Sequence, residues 1–194
     1  MRNLYRVIYT SSYDRGLLHL LEMWPDVKKE VPDAELHVFY GWQLFVQFYS
    51  GNPASMAWKA KMDELMKQPG ITDHGRVPQK DLVKEYEQSG IWAYPTHFGE
   101  INCISAIKAQ VYGCEPVVVN YAALRETVQY GRRIEGDVYD QETKDEFKKQ
   151  LILALNEPMA EEKRLEMQKW AKDTYSWKRI ASDWDIEFRK EEHV

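Results

Sequence analysis

Two short stretches of this chain are suited to meet a negative charge. Arg15-Gly16 sets a fixed cation beside a residue without a side chain, and Gly99-Glu100-Ile-Asn-Cys-Ile-Ser105 sets small and polar residues where a helix is expected to begin. Free backbone N–H groups at a helix start, aligned with the helix dipole, favour an anion, and a phosphate-bearing ligand follows from that chemistry. Neither stretch spells the P-loop or the G-x-G-x-x-G fingerprint. Glycines after strands also serve plainly as turns, so spacing alone leaves a phosphate site and a pair of turns equally open. The five histidines and two cysteines show no ligand spacing, and no metal is expected.

These stretches need a scaffold, and the punctuation of the chain supplies one. Tyr5–Tyr9 is aromatic and β-branched and reads as a strand, Thr10–Gly16 as a polar turn. Leu17, Leu18, Leu20, Leu21 and Trp24 give the apolar side of a helix that the proline of Val31-Pro-Asp-Ala34 ends. A second strand, Glu35–Tyr40, stops at Gly41. After an aromatic insertion, Trp42–Tyr49, and a helix over Pro53–Gln68, the alternation resumes with a strand near Ile71–Gly75 and a helix from Pro78. Strand Ile91–Tyr94, loop Pro95–Glu100, helix Ile101–Tyr112, strand Pro116–Val119 and a short helix within Asn120–Val128 follow. Three helical stretches, Asp140–Asn156, Glu157–Asp173 and Ser176–Phe188, close the chain. The alternation predicts an α/β fold, a doubly wound, mainly parallel sheet with helices on both faces. Ligands of such sheets bind beyond the carboxyl ends of the strands. The loops Thr10–Gly16, Gly41–Trp42, Gly75–Pro78, Pro95–Asn102 and Asn120–Ala123 fall there.

Composition narrows the class. A chain of 194 residues, 44% hydrophobic and 29% charged, is long enough to bury roughly 70% of its unfolded surface without a covalent staple. Cys103 and Cys114 therefore read as reduced thiols of a cytoplasmic protein. The balance of 26 basic against 31 acidic residues, net −5, argues against binding nucleic acid, whose general binders carry a basic surplus. No apolar run approaches the roughly 20 residues of a membrane span, and Met1–Thr10 is too short and too polar for a secretion signal. Trp170, Trp177 and Trp184 recur every seven residues, which suggests an interface stripe or, as the favoured expectation, packing against the sheet.

One long segment carries a resemblance. Pro95 through Val119, with its core Phe98-Gly-Glu-Ile-Asn-Cys-Ile-Ser-Ala-Ile-Lys108, and Asn120–Val128 after it, closely resemble the donor-site region of glycosyltransferase family 4. Tyr9–Leu17 is similar to that family's first strand and basic-Gly turn, Val31–Leu36 to the approach to its second strand, and Tyr175-Ser-Trp177 with Ile180, Ala181 and Trp184 to its closing helix. The resemblance implies a Rossmann-like half of a GT-B enzyme and a transfer that retains anomeric configuration. The whole chain, 1–194, would be the C-terminal donor-binding domain, with a nucleotide-diphosphate sugar as substrate, no cofactor, and an unknown acceptor. An N-terminal acceptor-binding domain or chain would be the missing partner.

Residue roles follow from the same resemblance. Glu100 stands where the family has the first glutamate of its Glu, seven residues, Glu motif, and would contact the sugar or stabilise charge at the anomeric carbon. As a bare helix-start carboxylate it would be worth only about 0.3–1 kcal/mol. Lys108 stands where the second, ribose-binding glutamate belongs, a departure that changes or weakens ribose recognition. Arg15 and Gly16 match the basic-Gly turn that grips the diphosphate, or else Arg15 is a surface cation beside Asp14. Thr10 replaces a companion arginine, and the hydroxyls of Thr10, Ser11 and Ser12 would serve as neutral phosphate donors. Gly41, Gly75, Arg76 and Val77 align with the base-reading stretches. Phe98, Gly99, Ile101, Asn102, Cys103 and Ser105 would form the donor loop, with Asn102 and Ser105 alternatively only capping a helix. His97 would touch donor or acceptor, or be structural. Asp183-Trp184-Asp185 spells the D-x-D metal motif of another glycosyltransferase fold, but on a helix residues two apart diverge too far to share one ion. Two rival classes stay open, a catalytically incomplete nucleotide-binding module or partner subunit, and an unrelated doubly wound phosphate-ligand enzyme.

Overall fold

The computed structural model of the protein describes residues 1–191, the last of these by its backbone alone. Residues 192–194 of the expected domain lie outside the description.

Six strands, β1 (Asn3–Tyr9), β2 (Glu35–Val38), β3 (Ile71–Asp73), β4 (Ser89–Tyr94), β5 (Glu115–Val119) and β6 (Arg132–Ile134), form one sheet in the order β3-β2-β1-β4-β5-β6. Every neighbouring pair is parallel, for example Val7 opposite Leu36 and Ile91, and Val117 opposite Arg132. The sheet is thus wholly parallel where a mainly parallel one was expected. Its centre is buried on both faces, with every residue of β4 and β5 and the last three of β1 buried, while the edge strands β3 and β6 are partly exposed. β6 went unseen in the sequence because its three residues, Arg-Arg-Ile, carry the charge typical of an edge strand instead of a β-branched run.

Right-handed crossovers decide which face each helix covers. Helices α1 (Leu17–Glu30), α2 (Gln43–Tyr49) and α3 (Pro53–Leu65) belong to connections running outward from β1 to β3. Helices α4 (Gln79–Gln88), α5 (Ile104–Val111) and α6 (Leu124–Thr127) belong to connections running the other way and take the opposite face. Helix α7 (Gln141–Asn156) returns to pack beside α1, and α8 (Glu161–Thr174) packs against α5. Some of the aromatic residues are core fillers, Trp24, Trp92, Tyr86, Tyr94 and Phe147 all being buried, while others such as Phe48, Phe98 and Tyr139 are exposed.

Several elements differ from expectation for identifiable reasons. The aromatic insertion after Gly41 contains helix α2. Pro25 lies inside α1, where it removes the N–H that would bond the Leu21 carbonyl; the Gln68 side-chain amide donates to that carbonyl instead, at 3.0 Å. Helix α5 begins at Ile104 and not at Ile101, because the Ala123 N–H holds the Glu100 carbonyl, at 3.1 Å, and residues 101–103 bend round that anchor. Trp177 and Trp184 do not pack against the sheet. They sit 84% and 60% exposed on α9 (Trp177–Glu191), and of the three tryptophans Trp170 alone is partly covered, by Tyr130 and Tyr175. Among the described residues no helix is long and apolar enough to cross a membrane.

Candidate functional site

β1 and β4 are adjacent at the middle of the sheet, and the chain leaves them toward opposite sides, which opens a crevice beyond their carboxyl ends. Two loops close on each other there. Gly16 has φ +122, and a side chain on it would place Cβ 2.3 Å from the Pro95 carbonyl oxygen, so only glycine lets the turn after β1 touch the loop after β4.

That contact brings Arg15 to Glu100. The guanidinium donates to Glu100 Oε1 at 3.3 Å and lies 3.8 Å over the Phe98 ring. Tyr94, the last residue of β4, donates its hydroxyl to the same Oε1 at 2.8 Å, and Ser11 Oγ lies 3.2 Å from that hydroxyl. Burial raises the Tyr94 phenol, so it stays a proton donor. The Arg15 side chain is 35% exposed and that of Glu100 is 11%. The result is a cation, a carboxylate and a phenol in a row at the crevice, with the cation on the wet side.

The loop beyond Phe98 is open. Gly99 has nothing within 4 Å of where a side chain would stand, Ile101 is fully out, and Asn102 is exposed. Among the described residues the amides of Ile101 and Asn102 have no hydrogen-bond acceptor. Cys103 turns inward, and burial pushes its thiol up to about 12.

The expected hydroxyl donors are placed differently. Thr10 is buried, receives the Trp92 Nε1–H at 3.0 Å and bonds the Tyr86 hydroxyl at 2.6 Å, while its carbonyl accepts from Ser105 at 3.2 Å. Ser11 is buried against Tyr94. Both hydroxyls already have partners at the strand ends, so a phosphate would have to compete for them with Trp92, Tyr86 and Tyr94. Ser12 is half-buried, and its carbonyl accepts from Arg15 N–H and the Tyr9 hydroxyl.

A cavity of about 340 Å³ opens beside this cluster on the α4 and α5 side. Phe39, Tyr40, Val77 and Leu82 give it apolar walls, Ser105 and Tyr86 hydroxyls, and Arg76 and Lys108 two cations. Lys108 donates to Gln79 Oε1. Among the described residues no carboxylate lines it. The structure therefore brings Thr10, Arg76, Val77, Ser105 and Lys108 around one cavity, and Arg15, Gly16, Phe98 and Glu100 at its neighbouring crevice. Gly41 lies outside both, its N–H donating to the Tyr13 hydroxyl at 3.1 Å, and it borders a shallow hollow with Asp73 and Gly75. His97 also lies outside, on the far side of Gly16.

Tyr94, Tyr40, Phe39 and Gln79 were not singled out from sequence. Tyr94 had a signal, a hydroxyl-bearing aromatic as the last residue of a strand ending at the crevice; the others had none, since their roles depend on how α2 and α4 fold over the edge. The Asp183-Trp184-Asp185 motif is spent on its own helix, Asp183 pairing with Arg179 and Asp185 with Arg189. Among the described residues no cluster of three His, Cys, Asp or Glu side chains is arranged to hold a metal.

Comparison with known proteins gives a family and a fold. The sequence model described as glycosyl transferases group 1 matches residues 4–174. No curated protein matches the sequence. Among solved structures, the pneumococcal O-GlcNAc transferase GtfA, in complex with UDP and GlcNAc, superposes with a TM-score of 0.70 at 16% identity, over 100% of this chain and 37% of that one. Sucrose-phosphate synthase from Thermosynechococcus elongatus gives 0.76 at 17% identity, over 95% and 45%. Alr3699/HepE of Anabaena, in complex with UDP and glucose, gives 0.70 at 13% identity, over 96% and 48%. At these identities the likeness is one of fold, and the chain spans less than half the length of each.

Proposed function

Because the chain belongs to the glycosyl transferases group 1 family, we propose that it is the donor-binding part of a glycosyltransferase, taking a nucleotide-diphosphate sugar and, with an acceptor-binding half, transferring the sugar with retention, as in family 4. The observation that carries this is the Arg15, Glu100 and Tyr94 row, set at the strand crevice beside two unpaired amides and a nucleoside-sized cavity. That GtfA and HepE were each solved with UDP and a sugar supports the same ligand class.

The chemistry runs as follows on this reading. The base and ribose lie in the 340 Å³ cavity between the walls of Phe39, Val77 and Leu82, with Arg76 and Lys108 nearby. The diphosphate takes the amides of Ile101 and Asn102 and competes with Glu100 for the Arg15 guanidinium, whose fork suits phosphate oxygens. Glu100, released from Arg15 but still held by Tyr94, then meets the sugar, accepting from a hydroxyl or stabilising positive charge at the anomeric carbon. Charge on the leaving diphosphate is met by Arg15 and backbone amides, so the transfer is expected to be insensitive to a chelator. The two buried, unpaired cysteines support a cytoplasmic location on this reading.

Calorimetric titration with UDP, GDP and ADP tests the binding step: diphosphate-dependent affinity that falls in Arg15→Ala is expected, and nucleosides binding as well as diphosphates would end the reading. Lys108 and the commitment of Thr10 favour a second reading, a nucleotide-binding partner subunit without turnover. With an acceptor half supplied, Glu100→Gln should keep nucleotide affinity and abolish transfer; absence of transfer by the unaltered chain with every donor decides for the partner subunit.

A further inference from the structure

Beyond Gly16, on the side away from the nucleoside cavity, two more hollows open along the same edge of the sheet and share His97 and Tyr139. One, about 320 Å³, passes Tyr121, Arg125 and Asp137; the other, about 240 Å³, lies over the first turn of α1 against Asp14, His19 and Trp58. Neither shares a lining residue with the 340 Å³ cavity.

Their common wall is a cluster of rings. His19 stands edge-on to Tyr139 with centroids 5.2 Å apart and to His97 at 5.8 Å, and His97 tilts against Tyr139 at 5.0 Å. His19 is only 5% exposed, and the buried Nδ1 atoms of both histidines have no partner among the described residues. Those Nδ1 atoms are closed off from the hollows, so a ligand there meets each imidazole at Nε2, which is not among the buried unpartnered atoms. Burial first, then Lys144 and His97, lower His19 to about 4, so at neutral pH it is an uncharged imidazole able to accept from a hydroxyl.

The lining narrows the chemistry. Flat faces at Trp58 and Tyr139 suit a ring presenting C–H groups. Asp14, Asp137 and the imidazoles offer acceptors, which suits a ligand rich in O–H donors. An anion is disfavoured by the two carboxylates. An organic cation is disfavoured by Arg125 in the lining and by Lys144, close enough to act on His19. We propose that these adjoining hollows form a subsite for a neutral saccharide, seated chiefly in the smaller one, stacked on Trp58 and Tyr139 and hydrogen-bonded by His19 and His97. Its role as the seat of the acceptor's sugar rests on the transferase reading; the binding itself does not.

The test titrates the full chain with methyl glycosides of glucose, galactose, mannose and N-acetylglucosamine, and separately with tetramethylammonium and UDP, following backbone amide and indole NMR shifts. At least one glycoside should saturate below about 100 mM, shift Gly16 and the Trp58 indole, and bind equally with UDP present. Trp58→Ala and Tyr139→Ala, the latter at a 60% exposed position, should each weaken it roughly tenfold with the UDP affinity unchanged. No saturation by any glycoside, competition between glycoside and UDP, or preference for tetramethylammonium overturns the subsite. Saccharide binding without any UDP binding upholds it while removing the donor reading; UDP binding without saccharide binding does the reverse.

Discussion

Arg15 is held in place by partners that a ligand must displace. An exposed ion pair contributes about 0.2–1 kcal/mol, and a charge-assisted bond to phosphate contributes more. Two substitutions in one pair should then act in opposite senses. Arg15→Ala should weaken UDP roughly tenfold or more by calorimetry, while Glu100→Gln, which frees the guanidinium, should leave UDP equal or up to about threefold tighter. His19 carries a separate expectation. Its folded value, about 4, lies below the ordinary 6.5, so the unfolded chain binds the proton more readily. Stability is full above about 6.5 and falls as pH drops toward 4. His37 and His74, stacked with Nδ1 and Nε2 2.8 Å apart and both lowered chiefly by burial, push the same way. Thermal midpoints should therefore drop between pH 7 and pH 5, and His19→Gln should flatten part of that slope.

At the level of elements, the joint between the turn after β1 and the loop after β4 is the critical one. Gly16→Ala meets both a backbone clash and a positive φ, and should cost roughly 2 kcal/mol or more in urea unfolding as well as weakening UDP. A second anchor is Arg164 of α8, 2% exposed, whose guanidinium donates to the carbonyls of Gly90, Gly113 and Met159. Arg164→Leu leaves those carbonyls without their donor and should cost about 3 kcal/mol. Strand and helix alternation made the sheet legible from the sequence, because apolar β-branched runs such as Val117–Val119 have no other reading. The crevice was legible through Arg15, Gly16 and Glu100, whose types fit the chemistry. What stayed hidden depends on tertiary partners: Pro25 survives inside α1 because Gln68 satisfies Leu21, β6 pairs despite its arginines, and Thr10 faces inward because Trp92 and Tyr86 need its hydroxyl.

Across the whole molecule, the sheet and its eight packed helices form the body, and α9 stands off it with Trp177, Trp184 and Phe188 exposed. Ending the chain at Tyr175 should shift the unfolding midpoint by no more than a few degrees, read by circular dichroism. The order of the strands has another consequence, in time. No two strands that are neighbours in the sheet are joined by a hairpin; Val7 must wait for Ile91 before the centre of the sheet exists. As the chain emerges from the ribosome, β1 therefore remains bare on one edge until β4, which begins only at Ser89, has been translated, a window in which its Val7-Ile-Tyr9 run is open to chaperones or to aggregation.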